Sequence, residues 1–575
     1  MFMMRMFAPA VSALMFLTSA AGASVGRRSD DLSARGAVRA DSLRAAISAR
    51  LGKGGRSLGA STDQWRHVRT LYAAHRGRAL WFGKQNGGKR VAAVVNAITN
   101  ASDEALRLDG YPMAQLREAL AALRGVRVPG ATDLAEADVT LTYAFAAYAE
   151  DLLTGQIDPR STSQSWHIDP QEEDVDSALV RVLRAASLDR ALTQLRPQTP
   201  QYEELRGALE RYRRLVAAGG WPRVPVGPVL SPGDTSTVAR LDAIAVRLRA
   251  EGFIDGEIRI VPLPVIVATA PGAERAIYDA RLAGAIASFQ ERHGLVADSI
   301  VGPNTRAALD MPADFRLRQI AANLERHRWL PRTLGQRYIV VNVPSFQLRA
   351  FDGGAEALQM KVIVGAEYQN RATPVFSDSV SYVVFRPYWN VPDGIAAREI
   401  FPLARRDRSF LSRNGYEVVR SNDGTHVRQT PGPGNALGLV KFMFPNEFNI
   451  YLHDTPIPEL FREQVRAMSH GCIRVEKPAE LAAFVLGSQG WDAERIRAAM
   501  DSGADDHRVN LERKVPVYIV YFTTYLRDGV LYFGNDLYDR DQALVRAVAG
   551  AALPTDDVER EAQALRALVP DLAGR

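Results

Sequence analysis

From Trp65 to about Leu215, apolar residues recur every three or four positions. "WRHVRTLYAAH", "VAAVVNAITNA", "MAQLREALAAL", "ADVTLTYAFAAYAEDLL" and "SALVRVLRAAS" each gather their apolar side chains on one helical face. The period predicts an all-α scaffold over residues 63–225 that carries no catalytic constellation. "GGWPRVPVGPVLSPGD" at 219–234 is dense in Pro and Gly and marks a boundary. The helix "VARLDAIAVRLRAEG" follows, ending at Gly252, and then comes "EIRIVPLPVIVATA", an insertion with strand character. A further helix, a turn at Gly294, a loop to Val301-Gly302-Pro303 and a short helix complete a small helical module over 226–315. A linker helix is expected over 316–336.

At Arg337 the pattern changes. "YIVVNV", "FQLRAF", "MKVIVG" and "VSYVVFRPYW" are short runs of β-branched and aromatic residues separated by turns. Their spacing predicts a mainly-β, sandwich-like or barrel-like domain over 337–550. "IAAREIFPLARRDRSFLSRNGYEVV" interrupts it with helical and irregular sequence, and "SNDGTHVRQTPGPGNALG" reads as a long Gly/Pro-rich loop. Together they make a helical and loop insertion over 395–445, and long loops inside compact domains are often lids or binding loops. Strands return with "LVKFMF" and "NIYLHD", then a helix at "KPAELAAFVLGS" with Pro478 in its first turn. A hairpin around Arg527-Asp528-Gly529 closes the domain, and 551–575 reads as a helical tail. The fold class is multidomain α+β.

Composition changes this picture little. With 47% hydrophobic and 24% charged residues, 575 residues suit several globular domains, each able to bury a core. The net charge of +6 is spread along the chain rather than gathered in one block, which argues against a nucleic-acid partner. The first residues say more. Arg5, the apolar run Met6 to Leu17 and the small residues ending Ala21-Gly22-Ala23 have the order of a secretory signal peptide. Cleavage is expected after Ala23, leaving a mature protein in the periplasm. If the segment is kept, it is a short inner-membrane anchor. Residues 24–62, rich in Arg, Ala, Ser and Gly, read as a flexible lead-in with room for one helix.

The chain has one cysteine, Cys472, in "SHGCIRVEKP". A lone thiol in an exported protein cannot form an internal disulfide and risks oxidation. Only about 3% of an ordinary thiol is ionised at pH 7, so a nucleophilic cysteine needs a base or a positive field beside it. Two histidines are close enough in sequence. His470 lies two residues before Cys472, on the same face if the chain is extended. His453 comes near the end of "NIYLHD", a run of strand length whose end would bring its imidazole to the sulfur.

"HGCIR" with Ser469 before it, and "IYLHDTP" upstream, resemble the L,D-transpeptidases that cross-link bacterial peptidoglycan. The resemblance extends to "FRPYWNVPDGI", "TPGPGNALGLVKFMFPN", the helices at 65–160, and a module in which "FQERHGL" and "VGPNT" look like a peptidoglycan-binding domain. It implies the large branch of the family, with a scaffold domain, that module, and a capping subdomain over 395–445. It implies Cys472 as nucleophile, His453 as general base and acid, and the Asp454 backbone carbonyl orienting the imidazole. Backbone N–H groups of Gly471 and Cys472 would form the oxyanion hole. Ser469 and His470 would shape the loop. Arg474 would bind a substrate carboxylate or orient the loop, and Tyr451 would share the face of His453 or belong to the core.

The implied reaction is acyl transfer. Cys472 attacks the bond between diaminopimelate and D-Ala of a tetrapeptide stem, D-Ala leaves, and a neighbouring diaminopimelate amine takes the acyl group to give a 3→3 cross-link. Water as acceptor would make an L,D-carboxypeptidase. Carbapenems are expected to acylate Cys472. Donor and acceptor stems, with other cell-wall synthesis enzymes, are the expected partners, and no cofactor is implied. Three other readings have less behind them. A metal site from His453, Asp454, His470 and Cys472 lacks any CxxC or HExxH spacing. A general cysteine protease has no need of a wall-binding module. A wall-attached scaffold without activity has no need of Cys472 and His453. The remaining histidines (67, 75, 167, 293, 327, 426 and 507) stand alone and read as structural or exposed.

Overall fold

The computed structural model describes residues 38–570 apart from 83–86, 125–128, 169–173, 257–259, 264–273, 367–370 and 422–423. The expected signal segment and most of the expected insertion strand at 257–270 lie outside the described residues. No helix among the described residues is long and apolar enough to cross a membrane.

The scaffold is built round the helix Ala131–Thr154, whose Val139, Leu141, Phe145, Leu152 and Leu153 are buried. Asp138 in that helix is fully buried and accepts from Tyr72 and from the backbone N–H groups of Leu80, Trp81 and Phe82. A buried carboxylate is tolerated when its oxygens are filled in this way. Two expectations are corrected here. Residues 40–52, where the lead-in left room for a helix, do form one, but it is docked: it buries Leu43 and Ile47 against the scaffold and pairs Arg50 with Glu136 at 2.6 Å. The helix Asp556–Arg566 is likewise no tail. It buries Ala562 and Leu565 in the same core and pairs Glu561 with Arg117 at 2.8 Å. Both are polar enough in composition to pass for surface segments. Their few apolar residues are spaced to meet the scaffold.

The boundary expected at 225 also divides differently. The helix Pro200–Ala217 buries Tyr202, Leu205, Leu209 and Tyr212 in the core of the β domain, not in that of the upstream helices. The region is not wholly α either. Trp166 and His167 pair in parallel with Val375 and Phe376, adding two scaffold residues to the edge of the β sheet.

The small module packs the helices Val238–Ala250, Ala280–Arg292 and Pro303–Leu309 with a two-stranded antiparallel sheet of Thr235–Thr237 and Arg275–Ile277. Its core is Leu241, Ile244, Leu248, Leu282, Ile286 and Phe289. The module is held against the β domain: His293 stacks on Phe533 at 5.5 Å, Asn535 donates to the Gly294 carbonyl, and Arg527 pairs with Glu291. The linker helix, Ala313–Arg328, is buried nearly all round, because scaffold, module and β domain all pack on it.

The β domain is one long sheet that closes on itself. From Val375–Phe385 it runs through Val440–Met443, Leu452–His453, Ile473–Val475, Ala355–Gly365, Gln347–Asp352 and Arg337–Asn342 to His507–Val520, which pairs back onto Val375–Phe385. Closure leaves few open edges. The alternation read from "YIVVNV" holds, with Ile339 and Val341 fully buried and Tyr338 and Val340 half-buried on the other face.

The insertion is more ordered than its Gly/Pro content suggested. Trp389–Asn390, Gly424–Gln429 and Tyr416–Ser421 form a three-stranded sheet, so part of the expected long loop is a β-hairpin. Short helical segments between Asp393 and Arg413 complete a subdomain with its own core of Val391, Ala396, Ile400 and Val427.

Candidate functional site

Two short strands set the site. Leu452–His453 and Ile473–Val475 lie parallel, with Leu452 opposite Ile473 and His453 opposite Arg474. Ile473 N–H donates to the Tyr451 carbonyl, which carries the register back to Tyr451 and Cys472. Leu452 and Ile473 are fully buried in the core. Because side chains alternate, Tyr451, His453, Cys472 and Arg474 share the opposite face. Cys472 and His453 are diagonal neighbours, a relation that separates backbones by about 7–8 Å and lets long side chains meet. Tyr451 lies beside the imidazole, its ring centroid 5.7 Å from that of His453.

The thiol and the imidazole are each held in the neutral form. Burial pushes the Cys472 thiol up to about 11, against the Tyr451 hydrogen bonds and the Arg474 charge. The thiol donates to the Asn449 carbonyl at 3.7 Å. Burial drives His453 down to about 3, helped by the cations Arg474 and Lys441. His453 Nδ1 lies 2.6 Å from the Asp454 carbonyl, which fixes the ring and makes Nδ1 the protonated nitrogen of the neutral imidazole. Nε2 is then the basic atom. The Asp454 carboxylate acts elsewhere. It accepts from Leu439 and Thr455 N–H and braces the turn that returns from the cap.

The turn before the cysteine is held from both sides. Ser469 Oγ donates to the Cys472 carbonyl at 2.5 Å and accepts from Gly471 N–H at 3.1 Å. Gly471 has φ +116, a conformation that side chains rarely adopt, and a Cβ there would sit 3.1 Å from Ile450. Thr373, fully buried, donates from Oγ1 to the Gly471 carbonyl at 2.9 Å and accepts from Gly365 N–H. In a trans peptide the carbonyl and the next N–H point in opposite directions. Anchoring the Gly471 carbonyl on Thr373 therefore turns Cys472 N–H the other way. The expected pair of oxyanion donors is thus reduced, since Gly471 N–H is already taken by Ser469.

His470 does not share a strand face with Cys472, because the strand Ala467–Ser469 stops before it and Ile473–Val475 starts after. Its Nε2 instead meets Glu399 of the cap at 2.7 Å, and Arg371 reaches the same carboxylate oxygen at 2.8 Å. The neighbouring cations hold Glu399 below its ordinary carboxylate range, against the desolvation that opposes them. Arg474 is half-buried with its Nε unpartnered among the described residues, beside the sulfur and the imidazole. Thr373, Lys441, Arg371 and Glu399 were not picked out in the sequence. Lys441 had a readable signal, a lone charge inside the strand "LVKFMF" that pairs with His453. No group of three or more His, Cys, Asp or Glu among the described residues could hold a metal ion.

Comparison with known proteins matches three stretches of the chain. Residues 336–519 match the family model for the L,D-transpeptidase catalytic domain, 66–209 a scaffold domain, and 267–309 the model described as "Putative peptidoglycan binding domain". A Haemophilus influenzae protein named "Putative L,D-transpeptidase" is 31% identical over 244 residues, 39% of this chain. The match spans 48% of that relative, about half its length. A crystal structure of an L,D-transpeptidase from Xylanimonas cellulosilytica is 17% identical, covering 52% of this chain and all of that one, with a TM-score of 0.18. The chain thus carries, at 336–519, a stretch that matches the L,D-transpeptidase catalytic domain, accompanied by stretches that match a scaffold domain and a "Putative peptidoglycan binding domain".

Proposed function

We propose that this protein is a peptidoglycan L,D-transpeptidase that forms 3→3 cross-links with Cys472 as nucleophile. The observation that carries the reading is the placement of Tyr451, His453, Cys472 and Arg474 on one face of two parallel strands within the catalytic domain. The Cys472 sulfur attacks the carbonyl joining diaminopimelate to D-Ala in a donor stem, and its proton passes to His453 Nε2. Cys472 N–H receives the developing oxyanion. The tetrahedral intermediate collapses as His453 returns the proton to the departing D-Ala amine, leaving a thioester. A diaminopimelate side-chain amine of a second stem attacks that thioester, His453 takes its proton, and the sulfur leaves and is reprotonated. Arg474 supplies positive charge as the sulfur becomes a thiolate, and the cap, fastened through Glu399 to His470 and Arg371, excludes water from the acyl-enzyme. The signal segment directs the chain to the periplasm, and carbapenems acylate the same sulfur.

Product masses test this reading. Incubated with disaccharide tetrapeptide, the protein is expected to release D-Ala and form dimers, and Cys472→Ala to do neither. Tripeptide without dimer identifies an L,D-carboxypeptidase, and D-Ala release that survives in Cys472→Ala removes the nucleophile assignment.

The hold of Thr373 on the Gly471 carbonyl gives a second expectation. Thr373→Val keeps the shape and removes the hydroxyl, so the Cys472 peptide loses its anchor. Losing an oxyanion donor outright costs about 10²–10³ in kcat. Loosening one should cost roughly tenfold to a hundredfold in kcat with KM little changed. Thr373→Ser should restore most of the rate. Equal loss in both variants would mean that the methyl, not the hydroxyl, matters.

A further inference from the structure

A cavity of about 320 Å³ lies over the face of the strands Arg337–Asn342 and Gln347–Asp352, and none of the residues assigned to the Cys472 site lines it. The end of the linker helix, the start of Pro200–Ala217 and the hairpin at 524–533 form its walls. Its floor is aromatic: Tyr338 lies flat on Phe351, centroids 4.8 Å apart. Tyr525 and Phe522 add to the wall, and Tyr525 stacks on Tyr532 at 5.5 Å. Beside these rings, Gln347 and Gln359 present amides joined only by a 3.4 Å contact.

His327 also lines the wall. It is 4% exposed and stacks on Phe522 at 4.2 Å with the rings 7° from parallel, and its ring nitrogens are closed off from the cavity. It presents a ring edge there and no hydrogen-bonding atom.

The surrounding charges narrow the ligand class. Arg349 is paired with Glu356 and Arg527 with Glu291, while Glu204 and Asp528 also line the cavity. Carboxylates and phosphates would meet no spare cation there. A purely apolar ligand would leave the two glutamine amides with only their long mutual contact. A sugar answers both demands, with C–H faces for the rings and with hydroxyl or acetamido groups for the amides. We infer that this cavity binds a short neutral oligosaccharide bearing N-acetyl groups, as a second glycan site remote from Cys472. The choice of N-acetylated over other neutral sugars rests on the wall substrate proposed above.

The test is calorimetry on the full-length chain with the β-1,4-linked trimer of N-acetylglucosamine, and with maltotriose and a tetrapeptide stem as comparisons. The trimer is expected to bind, and Cys472→Ala to bind it equally. Tyr338→Ala and the Gln347→Ala/Gln359→Ala pair should each weaken it at least tenfold. The glutamine pair lies at the cavity surface and keeps the comparison valid if Tyr338→Ala misfolds. D-Ala release from tetrapeptide, measured on the same glutamine variant, is expected to persist, which separates failure of this site from failure of the catalytic reading. Absence of trimer binding, equal binding of maltotriose or of the tetrapeptide, or unchanged affinity in the variants overturns the inference.

Discussion

Replacing His453 by Ala should slow acylation of Cys472 by about 10³-fold at pH 7, and should change the shape of the pH profile as well as its height. In the resting protein the thiol is raised to about 11 and the imidazole lowered to about 3. Across that interval both are neutral, so the site stores no thiolate–imidazolium pair. The imidazole must take the proton as the sulfur attacks, a general-base contribution worth about 10²–10⁴ in rate. The sign follows from the depressed histidine: protonation below about pH 3 removes the base, and above that value the base is fully present. The wild-type rate should therefore run level through neutral pH. Without His453, only pre-formed thiolate reacts, and with a thiol near 11 the rate should climb about tenfold per pH unit from pH 7 to 10. Single-turnover acylation by a carbapenem across pH 5–10 measures both profiles. Strong thiolate absorbance in the wild type at pH 7, or an inflection between pH 6 and 8, would show that an ion pair is stored after all. A His453→Ala rate within tenfold of wild type would deprive the residue of its role.

Much of this site could be read from the sequence because its chemistry is local. "SHGC" places the sulfur after a residue free to take positive φ, and "IYLHD" places an imidazole on a strand end with the next carbonyl ready to fix it. The partners that hold these groups in place could not be read in this way. Thr373 lies 98 positions before Gly471, and Glu399 lies 71 before His470. A threonine or glutamate in a loop has no local signature of such a contact, since only the closed sheet and the docked cap bring them together. The same holds for the fold. Periodicity predicted the helices of 65–160 and the strands from Arg337, because each has a face to bury. It failed for Trp166–His167, too short to show a period, and at Asp556–Arg566 it gave the helix but not its docking, which Ala562 and Leu565 carry. In the cap, glycine and proline suggested a loop, whereas cross-strand pairing of Val418 with Val427 and the buried core around Val391 made a hairpin.

The largest loss of stability should come from Arg328→Met, far from the chemistry. Arg328 is fully buried where the linker helix meets the scaffold. Its guanidinium donates to the Glu104 carbonyl at 2.7 Å, to the Tyr202 hydroxyl at 2.9 Å and to Glu325 at 2.5 Å. Glu325 in turn accepts from Ile157 N–H, and Glu104 is held by Arg196 and Arg206 at 2.5 and 2.8 Å. Three segments distant in sequence thus converge on one side chain. Methionine fills much of the volume but leaves the Glu325 carboxylate buried without its cation, and breaking a buried pair from one side costs about 3–5 kcal/mol. The loss should fall on the junction between scaffold and β domain, so that a single denaturant transition in the wild type becomes two, the scaffold unfolding first. Adding Glu325→Gln keeps the hydrogen bond to Ile157 and removes the stranded charge, and should recover a large part of the loss. Urea titration followed by tryptophan fluorescence separates the outcomes, since Trp81 reports on the scaffold and Trp491 on the β domain. If Arg328→Met alone lowers neither midpoint, the guanidinium is replaceable by packing, and the junction is held by the apolar contacts of Tyr202, Leu205 and Trp329 instead.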